Sequence, residues 1–413
     1  MIDDAALIPP GVSRCSFKKF LAWILIVLAI IGWGVFAMFL CWIKALNQTN
    51  MNDYFGFALW ITVDLGMIAL GGGAFFTAFL RYILGIDKLK NIIGLATILG
   101  WFCYAAALLV LGLDVGQPLR GWHIFWYANV HSMLREVAFC MTTYFIVLCI
   151  EVLPSILENV QLQKNRFIHL FSHNMHEYMY IFAAVGVFLS FFHQGSLGGM
   201  YGVLYSRPFA LRTGFFIWPW TFFIFILSAI ASGPALTILV TWTLQKVTRR
   251  RLVSKDVFSL LGKITGFLLC FYLIVKFADT WYWATHVLPE KGMTFWACYQ
   301  GWFGPYGLWL LFAELGVFGI IPAIILITPR FRENEWLLAM GCLFDCIGIV
   351  INRFVFTVQT LAIPTYPFDK WVVYSPSWQE WASTIMIIAI GALVVSLAYR
   401  YLPLFPQEPE LNP

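Results

Sequence analysis

Charged residues are scarce in this chain of 413 residues. Lys, Arg, Asp and Glu make up 11% of it and apolar types 61%, whereas soluble domains carry about 25% charged and about 45–50% apolar residues. A soluble protein of this composition would expose apolar patches far larger than monomers tolerate. The low charge therefore excludes a soluble globular domain and predicts a chain that lies in lipid.

Metal-binding and nucleic-acid-binding patterns are also missing. The nine cysteines contain no Cys-x-x-Cys pair and no metal-ligand spacing, so we expect no metal site. Despite a net charge of +5, the basic residues flank apolar runs, a pattern that encodes membrane topology and does not grip nucleic acid. No small-residue cleavage site follows the first apolar run, which we therefore expect to be retained as a span.

Ten apolar runs are long enough to cross a bilayer, since an α-helix needs about 20 residues to cover ~30 Å of hydrocarbon. The predicted spans cover residues 19–43, 54–81, 89–113, 130–153, 174–193, 215–244, 256–283, 305–329, 334–357 and 379–401. The short alternating segments of a β-barrel are not seen. The sequence thus predicts an all-α integral membrane protein with about ten transmembrane helices.

Lys and Arg are distributed unevenly between the connections. The N-terminal segment and every second connection hold sixteen of them, and the other connections hold six. By the positive-inside rule, both termini are expected in the cytoplasm and the protein in the cytoplasmic (inner) membrane. The longer outer connections are rich in aromatic residues, which indicates either an ordinary interfacial belt or a docking face for another subunit.

A weak internal repeat divides the chain. Residues 71–74 (Gly-Gly-Gly-Ala) in span two face residues 231–234 (Ala-Ser-Gly-Pro) in span six, and residues 135–139 in span four echo residues 313–318 in span eight. Small residues at such positions serve simple helix packing equally well. We expect two four-helix bundles plus two flanking helices. The expected units are a cytoplasmic N-terminal segment 1–18, a first span with its outer connection 19–53, a first bundle 54–214, a second bundle 215–378, and a last span with a cytoplasmic tail 379–413.

An ionisable residue inside a span raises the free energy of membrane insertion by at least ~2.5–3.5 kcal/mol, so each such residue is a candidate for a functional or structural role. On the outer side the candidates are Asp64, His131, Arg135, Glu136 and His193. His131 and Arg135 are four residues apart and are expected on one helical face. If this face is turned toward Asp64, the first bundle holds a polar pocket below the outer surface. The alternative is that Arg135 merely neutralises Asp64 or Glu136 in a packed bundle.

A pocket of this kind suits a quinone. The ring carbonyls of a quinone need hydrogen-bond donors, its two-electron reduction takes up two protons, and its isoprenoid tail stays in lipid. A carboxylate or an imidazole within reach can pass those protons. A transmembrane haem would need histidines facing each other at similar depth on two helices. His131 and His193 lie near the outer edge and mid-depth pairs are missing, so we expect no haem.

On the inner side, several titratable residues lie close together. His169, His173, His176 and Glu177 lie where span five begins, and Glu151 ends span four. The three histidines fall on one helical stripe and could load protons from the cytoplasm into a relay. They could equally be solvated residues of the interface.

The second bundle carries charges of its own. Lys276 and Asp279 are three residues apart near the outer end of span seven, a spacing that predicts a structural ion pair. Glu314, Asp345 and Arg353 lie in spans eight and nine.

Several motifs resemble a known family. Residues 113–118 (Leu-Asp-Val-Gly-Gln-Pro), with Trp122 and Trp126, resemble the Asp-Leu-Gly-Arg-Pro loop of the NrfD/polysulfide-reductase membrane subunits. Residues 131–139 and 193–198 are similar to the HybB-like branch, and residues 227–233 resemble its small-residue helix. The similarity extends from span two to span nine. Gln117 replaces the usual Arg of the loop, so no role of that Arg is carried over.

The resemblance implies a subunit of a menaquinone-linked oxidoreductase that holds no redox cofactor of its own. It would exchange electrons between menaquinone and a periplasmic iron–sulfur (ferredoxin-like) partner, with a molybdopterin-type or multihaem cytochrome subunit beyond that partner. Quinone reduction is the expected direction, and proton uptake from the cytoplasm is the expected coupling. Glu136, His131 and Asp64 are the expected catalytic residues, and Arg135 and His193 complete the quinone site.

Two other classes fit parts of the sequence. A secondary transporter would use the repeat and the buried charges. Against it, the charges cluster at the outer edge, and no pair of Gly/Pro-broken helices occurs at matched positions. A passive membrane anchor that binds no quinone would tolerate replacement of Asp64 or Glu136.

Overall fold

Ten long apolar helices form most of the part of the protein that the structure describes. The computed structural model describes residues 16–159, 162–212, 214–215, 218–366 and 368–405; the side chains of residues 74, 118, 176–177, 214–215 and 218 fall outside that description. The helices that can span a membrane are α1 Phe17–Lys44, α2 Leu59–Ala78, α3 Ile93–Asp114, α4 Met133–Leu157, α5 Arg166–Gly202, α6 Trp220–Thr248, α7 Lys255–Tyr282, α8 Trp309–Ile327, α9 Glu335–Phe354 and α10 Trp378–Tyr401. The predicted all-α integral membrane fold with ten spans is confirmed.

Several spans contain π-helical turns, which carry an extra residue per turn and often occur at functional sites. Helix α2 continues through Phe79–Ile83, α7 through Trp283–Val287 and α9 through Val355–Gln359, and α8 is π-helical over Phe312–Ile320. The remaining pieces are short: 3-10 turns Ala45–Gln48, Asp87–Asn91, Pro118–Arg120, Leu162–Lys164 and Phe295–Cys298; helical turns His123–Trp126, Leu288–Glu290, Pro329–Arg332 and Thr360–Ala362; and an antiparallel pair of two-residue strands, β1 Gly214–Phe215 and β2 Trp218–Pro219.

The spans pack as two rings of four helices. In the first bundle α2 packs on α3, α3 on α4, α4 on α5, and α5 back on α2. The second bundle repeats this order with α6, α7, α8 and α9. Helices α1 and α10 pack on each other at the side, and α10 also contacts α3. The arrangement is the predicted one of two four-helix bundles plus two flanking helices.

Helices α2 and α6 join the two bundles at a contact between glycines. A Cβ atom built on Gly73 would overlap the backbone of Gly233, and one built on Gly233 would overlap Gly73. Since glycine alone lacks a Cβ, these residues let the two backbones touch. The expectation that the small residues of span two face those of span six is confirmed.

We expect the substitution Gly73→Ala to destabilise the protein by about 1–3 kcal/mol, because the added methyl group forces α2 and α6 apart. The measurement is the thermal unfolding midpoint of the protein in a mild detergent. Gly32→Ala on α1 is the control, since a Cβ there meets nothing within 4 Å. A Gly73→Ala protein as stable as the Gly32→Ala protein would contradict the close contact.

The two ends of the molecule differ in chemistry. An even number of crossing helices brings the start of α1 and the finish of α10 to one end. Connections rich in Lys and Arg, such as residues 249–251, lie there, and we call it the basic end. The opposite end, called the aromatic end, consists of the connections 45–58, 115–132, 203–219, 291–308 and 363–377.

Candidate functional site

Asp64 is a buried carboxylate near the aromatic end of the first bundle. It lies on α2 five residues after Leu59, where the helix begins, and its side chain is 4% exposed. Its Oδ1 atom has no hydrogen-bond partner among the described residues, and the same holds for Oδ1 of Asp114 at the end of α3. Asp114 itself is partly buried. Carboxylates withdrawn from water without a partner are costly in lipid and mark this place as a candidate site.

A row of polar side chains runs from Asp64 through the first bundle toward the basic end. We call it the polar column, and it consists of Asp64, Gln194, His193, Tyr104, Ser190, Tyr144 and Glu151. All four helices of the bundle contribute to it.

The upper half of the column joins α2, α3 and α5. Gln194 Nε2 donates a hydrogen bond of 2.8 Å to the backbone carbonyl of Ile68, one turn below Asp64 on α2. His193 is fully buried, and its ring centroid lies 5.7 Å from that of Tyr104. The His193 ring lies against the backbone of Val137 on α4, and the Tyr104 hydroxyl group lies within reach of the Gln194 side chain as well as of Ser190. The polar groups of the upper half therefore face one another, and water or a ligand can make their remaining hydrogen bonds.

The lower half of the column joins α3, α4 and α5. The hydroxyl groups of Tyr104 and Ser190 are 3.3 Å apart, and the rings of Tyr104 and Tyr144 meet edge to face at 4.6 Å. A Cβ on Gly186 of α5 would lie 3.2 Å from Cε2 of Tyr144 and 3.5 Å from Oε1 of Glu151. The Tyr144 ring and the Glu151 carboxyl group therefore both lie against Gly186, and Glu151 is the last member of the column.

Glu136 lies in the first turn of α4, at a depth similar to that of Asp64. It is half-buried, and its Oε1 accepts a hydrogen bond of 2.7 Å from the hydroxyl group of Ser196 on α5. Arg135 is half-buried beside it. In the described part of the chain, no ion pair joins Arg135 to Asp64 or Glu136. The structure therefore contradicts the alternative that Arg135 neutralises Asp64 or Glu136.

His131 lies apart from this group. Helix α4 begins at Met133, so His131 precedes it, and the His131 backbone N–H donates to the side chain of Asn129 at 3.0 Å. The side chain of His131 is exposed at the aromatic end. The predicted helical face shared by His131 and Arg135 is therefore wrong, because the spacing rule applies only inside a helix.

His193 lies deeper than predicted. The sequence places it at the outer end of span five, but α5 continues for nine residues to Gly202. The prediction ended the helix too early because a run of small residues follows His193, and such a run is typical of loops in soluble proteins. In this bundle Gly198 packs directly on the backbone of Thr221 at the start of α6, where a Cβ would overlap the Thr221 carbonyl oxygen.

His169 and His173, at the start of α5, do not join the polar column. Both are exposed and precede the apolar stretch 178–202 of the helix. Nδ1 of His169 lies 2.5 Å from Oε1 of Gln163. The side chains of His176 and Glu177 lie outside the described residues.

A hydrogen-bonded cluster at the aromatic end fixes the start of α2. The hydroxyl group of Tyr374 accepts from the backbone N–H of Leu59 at 3.2 Å and donates to Glu380, which also accepts from the backbone N–H of Asn50 at 3.0 Å. Burial and the hydrogen bond to Glu380 raise the pKa of Tyr374 above its ordinary value, so the hydroxyl group stays protonated. The cluster thereby sets the depth of Asp64 in the bundle.

The ion pairs of the second bundle differ from the predicted one. Asp279 Oδ2 accepts from Nε of Arg212 at 2.8 Å, whereas Nζ of Lys276 lies 3.6 Å from Oε1 of Glu314. The predicted pair of Lys276 with Asp279 is wrong. Asp279 pairs with a residue of the connection before α6, and Lys276 lies beside a residue of α8.

Sequence reasoning missed the residues that complete the column. Tyr104 and Tyr144 stand inside apolar runs, where tyrosine counts as apolar, so no signal distinguishes them. Gln194 stands inside a family motif, but only the fold shows that it lies in the column. Asp114, which is not part of the column, stands inside another of these motifs. No group of three or more His, Cys, Asp or Glu side chains able to hold a metal ion occurs among the described residues.

Comparison with known proteins agrees with the motifs. Residues 45–364 match the family model described as "Polysulphide reductase, NrfD". The chain is 57% identical over 410 residues to "Menaquinone reductase, integral membrane subunit" of Nitratidesulfovibrio vulgaris, covering 99% of this chain and 97% of the relative. It is 23% identical over 417 residues to "Hdr-like menaquinol oxidoreductase integral membrane subunit" of Archaeoglobus fulgidus, covering 94% of this chain and 95% of the relative. The family match spans most of the chain and confirms the resemblance, so the chain belongs to the polysulphide reductase NrfD family.

Proposed function

We propose that this chain is the quinone-interacting membrane subunit of a respiratory redox complex. It exchanges electrons between a periplasmic iron–sulfur partner and menaquinone, in the direction of quinone reduction. Asp64 carries the proposal, because it is a buried carboxylate whose Oδ1 has no hydrogen-bond partner among the described residues, which suits a proton donor to a membrane-soluble substrate. The 57% identical relative is named a menaquinone reductase subunit, which supports menaquinone as the substrate.

The orientation follows from the charges of the two ends. The basic end faces the cytoplasm and the aromatic end faces the periplasm, since short connections rich in Lys and Arg stay on the cytoplasmic side. Both termini then lie in the cytoplasm, and the protein lies in the cytoplasmic membrane. The quinone site is on the periplasmic side of the first bundle.

The reaction adds two electrons and two protons to the ring oxygens of the quinone. Asp64 on α2 and Glu136 on α4 lie at similar depth and are assigned the proton-donating roles. The Ser196 hydroxyl group orients the Glu136 carboxyl group. Arg135 and the exposed His131 lie at the periplasmic edge of the site, where they hydrogen-bond the ring and add positive charge.

Each donated proton has to be replaced, and the polar column is the proposed route. Protons enter at Glu151 from the cytoplasmic side and pass along Tyr144, Tyr104 and His193 toward Asp64. His173, which is exposed on the part of α5 outside the span, is assigned to collect them, together with His176 and Glu177 by sequence position. Such uptake moves charge across the membrane, which costs about 2.3 kcal/mol per elementary charge for each 100 mV of membrane potential. The dense packing around the column prevents protons from leaking back along it.

The aromatic end is the proposed docking face for the partner. Its connections expose large apolar side chains, among them Leu119 at 90%, Trp126 at 78%, Phe303 at 91% and Phe368 at 80%. A large apolar surface that lies outside the membrane is typical of a contact face for another protein. We assign it to an iron–sulfur (ferredoxin-like) subunit, with a molybdopterin-type or multihaem cytochrome subunit beyond.

Purification from the native membrane tests this function. We expect the tagged chain, extracted in mild detergent, to bring an iron–sulfur subunit with it and to yield menaquinone on solvent extraction. The measurements are subunit identification by mass spectrometry, iron and acid-labile sulfide content, and chromatography of extracted quinones. An abundant membrane protein without redox function, purified with the same tag and detergent, corrects for carried-over lipid.

The outcomes separate the three classes of function. A chain that is free of both iron–sulfur protein and quinone above the carry-over level would contradict the proposal and favour a transporter. An iron–sulfur partner with quinone at the carry-over level would favour the passive anchor.

A further inference from the structure

The second bundle holds buried charges that the proposed quinone chemistry does not use. They include three cations, Arg212 from the preceding connection, Lys276 and Arg353, and three anions, Asp279, Glu314 and Asp345. Arg332, a fourth buried cation, lies at the basic end of the bundle. Arg212 and Asp279 form a tight pair, whereas Lys276 and Glu314 are 3.6 Å apart, a distance that leaves the pair loose. Oδ2 of Asp345 has no hydrogen-bond partner among the described residues. A loosely held ion pair close to a carboxylate with an unpartnered oxygen can pass a proton within the group.

Two small cavities lie in this bundle, and Glu314 lines both. The first has a volume of about 20 Å³ and is bounded by Lys276, Thr280, Glu314 and Gln359 among others. The second also has a volume of about 20 Å³ and is bounded by Glu314, Asn352 and Asp345 among others. A cavity needs about 10–15 Å³ to admit one water molecule, so each can take one, and neither can take a quinone ring.

The walls of both cavities contain polar atoms that need a donor. In the first cavity the fully buried Gln359 has an unpartnered Oε1, and in the second Asp345 has an unpartnered Oδ2. A water molecule in such a cavity makes two to four hydrogen bonds with groups of this kind. Glu314 lies between them, and its Oε1 accepts a hydrogen bond of 2.7 Å from Asn352.

The backbone around Glu314 is unusual as well. Glu314 belongs to the π-helical stretch Phe312–Ile320 of α8. The first cavity is also lined from the π-helical turns Trp283–Val287 and Val355–Gln359, so three such turns meet at one place. Since π-helical turns frequently occur at functional sites, their meeting here points the same way as the unpartnered atoms.

We propose that Glu314 transfers a proton between Lys276 and Asp345 through one water molecule in each cavity. In the first step the Lys276 ammonium gives a proton to the water beside it, which passes a proton to the Glu314 carboxylate; an amine and a carboxylic acid result. In the second step the Glu314 acid gives its proton, through the second water, to the Asp345 carboxylate. The substrate of this site is the proton, and its place is separate from the quinone site.

Arg353 connects this site to the first bundle. Its guanidinium stacks on Phe225, with 3.6 Å from Cζ to the ring centroid, and donates to Asn352 and Ser228, which both line the second cavity. The ring of Phe225 also stacks on that of Tyr201 of α5, with 6.5 Å between the centroids. These contacts join the second bundle to the first, and a response of Glu314 to quinone turnover through them rests on the proposed function.

Infrared difference spectroscopy on the complete complex tests the proposal. We expect a carboxylic C=O band that appears on reduction or on a change of pH and that shifts in D₂O. The band should be lost in Glu314→Gln and should move, but persist, in Glu314→Asp. Glu335→Gln is the control, because Glu335 forms a half-exposed pair with Lys246 at the basic end and its loss should leave the band in place.

Menaquinone reduction in the presence of a protonophore is measured on the same samples and should stay within about two-fold of the parent complex in Glu314→Gln. A band that Glu314→Gln leaves unchanged would overturn the proposal. If the Gln variant fails to assemble, an unmoved band in Glu314→Asp overturns it equally. A parent complex that does not reduce menaquinone would instead contradict the proposed function, and the pH-induced band would still decide the role of Glu314.

Discussion

The substitution Asp64→Asn is expected to lower menaquinone reduction by about 10²–10⁴-fold, the range that a positioned proton donor contributes. Asparagine has the size of aspartate but cannot donate a proton and be reprotonated. The loss should appear in kcat more than in KM, because proton donation belongs to the reaction step. The measurement is steady-state reduction of a menaquinone analogue by the purified complex. Stability should not fall, since no cation loses its partner: Oδ1 of Asp64 has none among the described residues.

Asp53→Asn is the matched control for this experiment. Asp53 is an exposed carboxylate in the connection just before α2, so its replacement should leave turnover unchanged. An Asp64→Asn complex that keeps more than about half of the parent turnover would exclude Asp64 as the proton donor. Asp114, the partly buried carboxylate at the end of α3, would then be the next residue to replace.

The substitution Arg212→Met is expected to destabilise the protein by about 3–5 kcal/mol, because it leaves a buried carboxylate without its cation. Arg212 and Asp279 each have 6% exposed side chains and are 2.8 Å apart. Arg212 also donates to the backbone carbonyls of Phe209 and Leu211 at 2.8 and 2.9 Å, so it holds the connection before α6 in place. The measurement is the free energy of unfolding in mixed detergent micelles.

Two further variants show whether the buried charge causes this loss. The double variant Arg212→Met with Asp279→Asn should recover part of the stability, because no charge is then left unpaired. Lys246→Met breaks a pair of similar length, 3.1 Å, whose side chains are 42% and 35% exposed; it should cost roughly 0–1 kcal/mol. Equal losses for the single and double variants would show that the hydrogen bonds of Arg212, and not its charge, hold the structure.

The ten spans could be predicted because few backbone conformations are stable in lipid. A long apolar run has to satisfy its own hydrogen bonds, which only a helix of sufficient length allows. The end of α5 could not be predicted, because the residues that form it are those by which loops in water are recognised. Gly195, Gly198 and Gly199 disfavour helix in water, but here they permit contact with Thr221 and Phe222 of α6.

The candidate site could be predicted only in part. Asp64 and Glu151 stand out as charges within apolar runs, and the structure places them at opposite ends of the polar column. The tyrosines between them are indistinguishable from core residues until three helices bring their rings together. The partner of Asp279 could not be found by helical spacing, because Arg212 comes from an irregular connection whose path the sequence does not specify.

The Gly73–Gly233 contact also sets an order for biogenesis. Helix α2 enters the bilayer while roughly 160 residues up to its partner are still to be synthesised, which at ~5–20 residues per second takes about 10–30 s. During this interval the glycine face of α2 meets lipid or the insertion machinery instead of α6. A chain truncated before α6 would keep that face uncovered permanently. The first bundle therefore reaches its final packing only after translation of the second has begun.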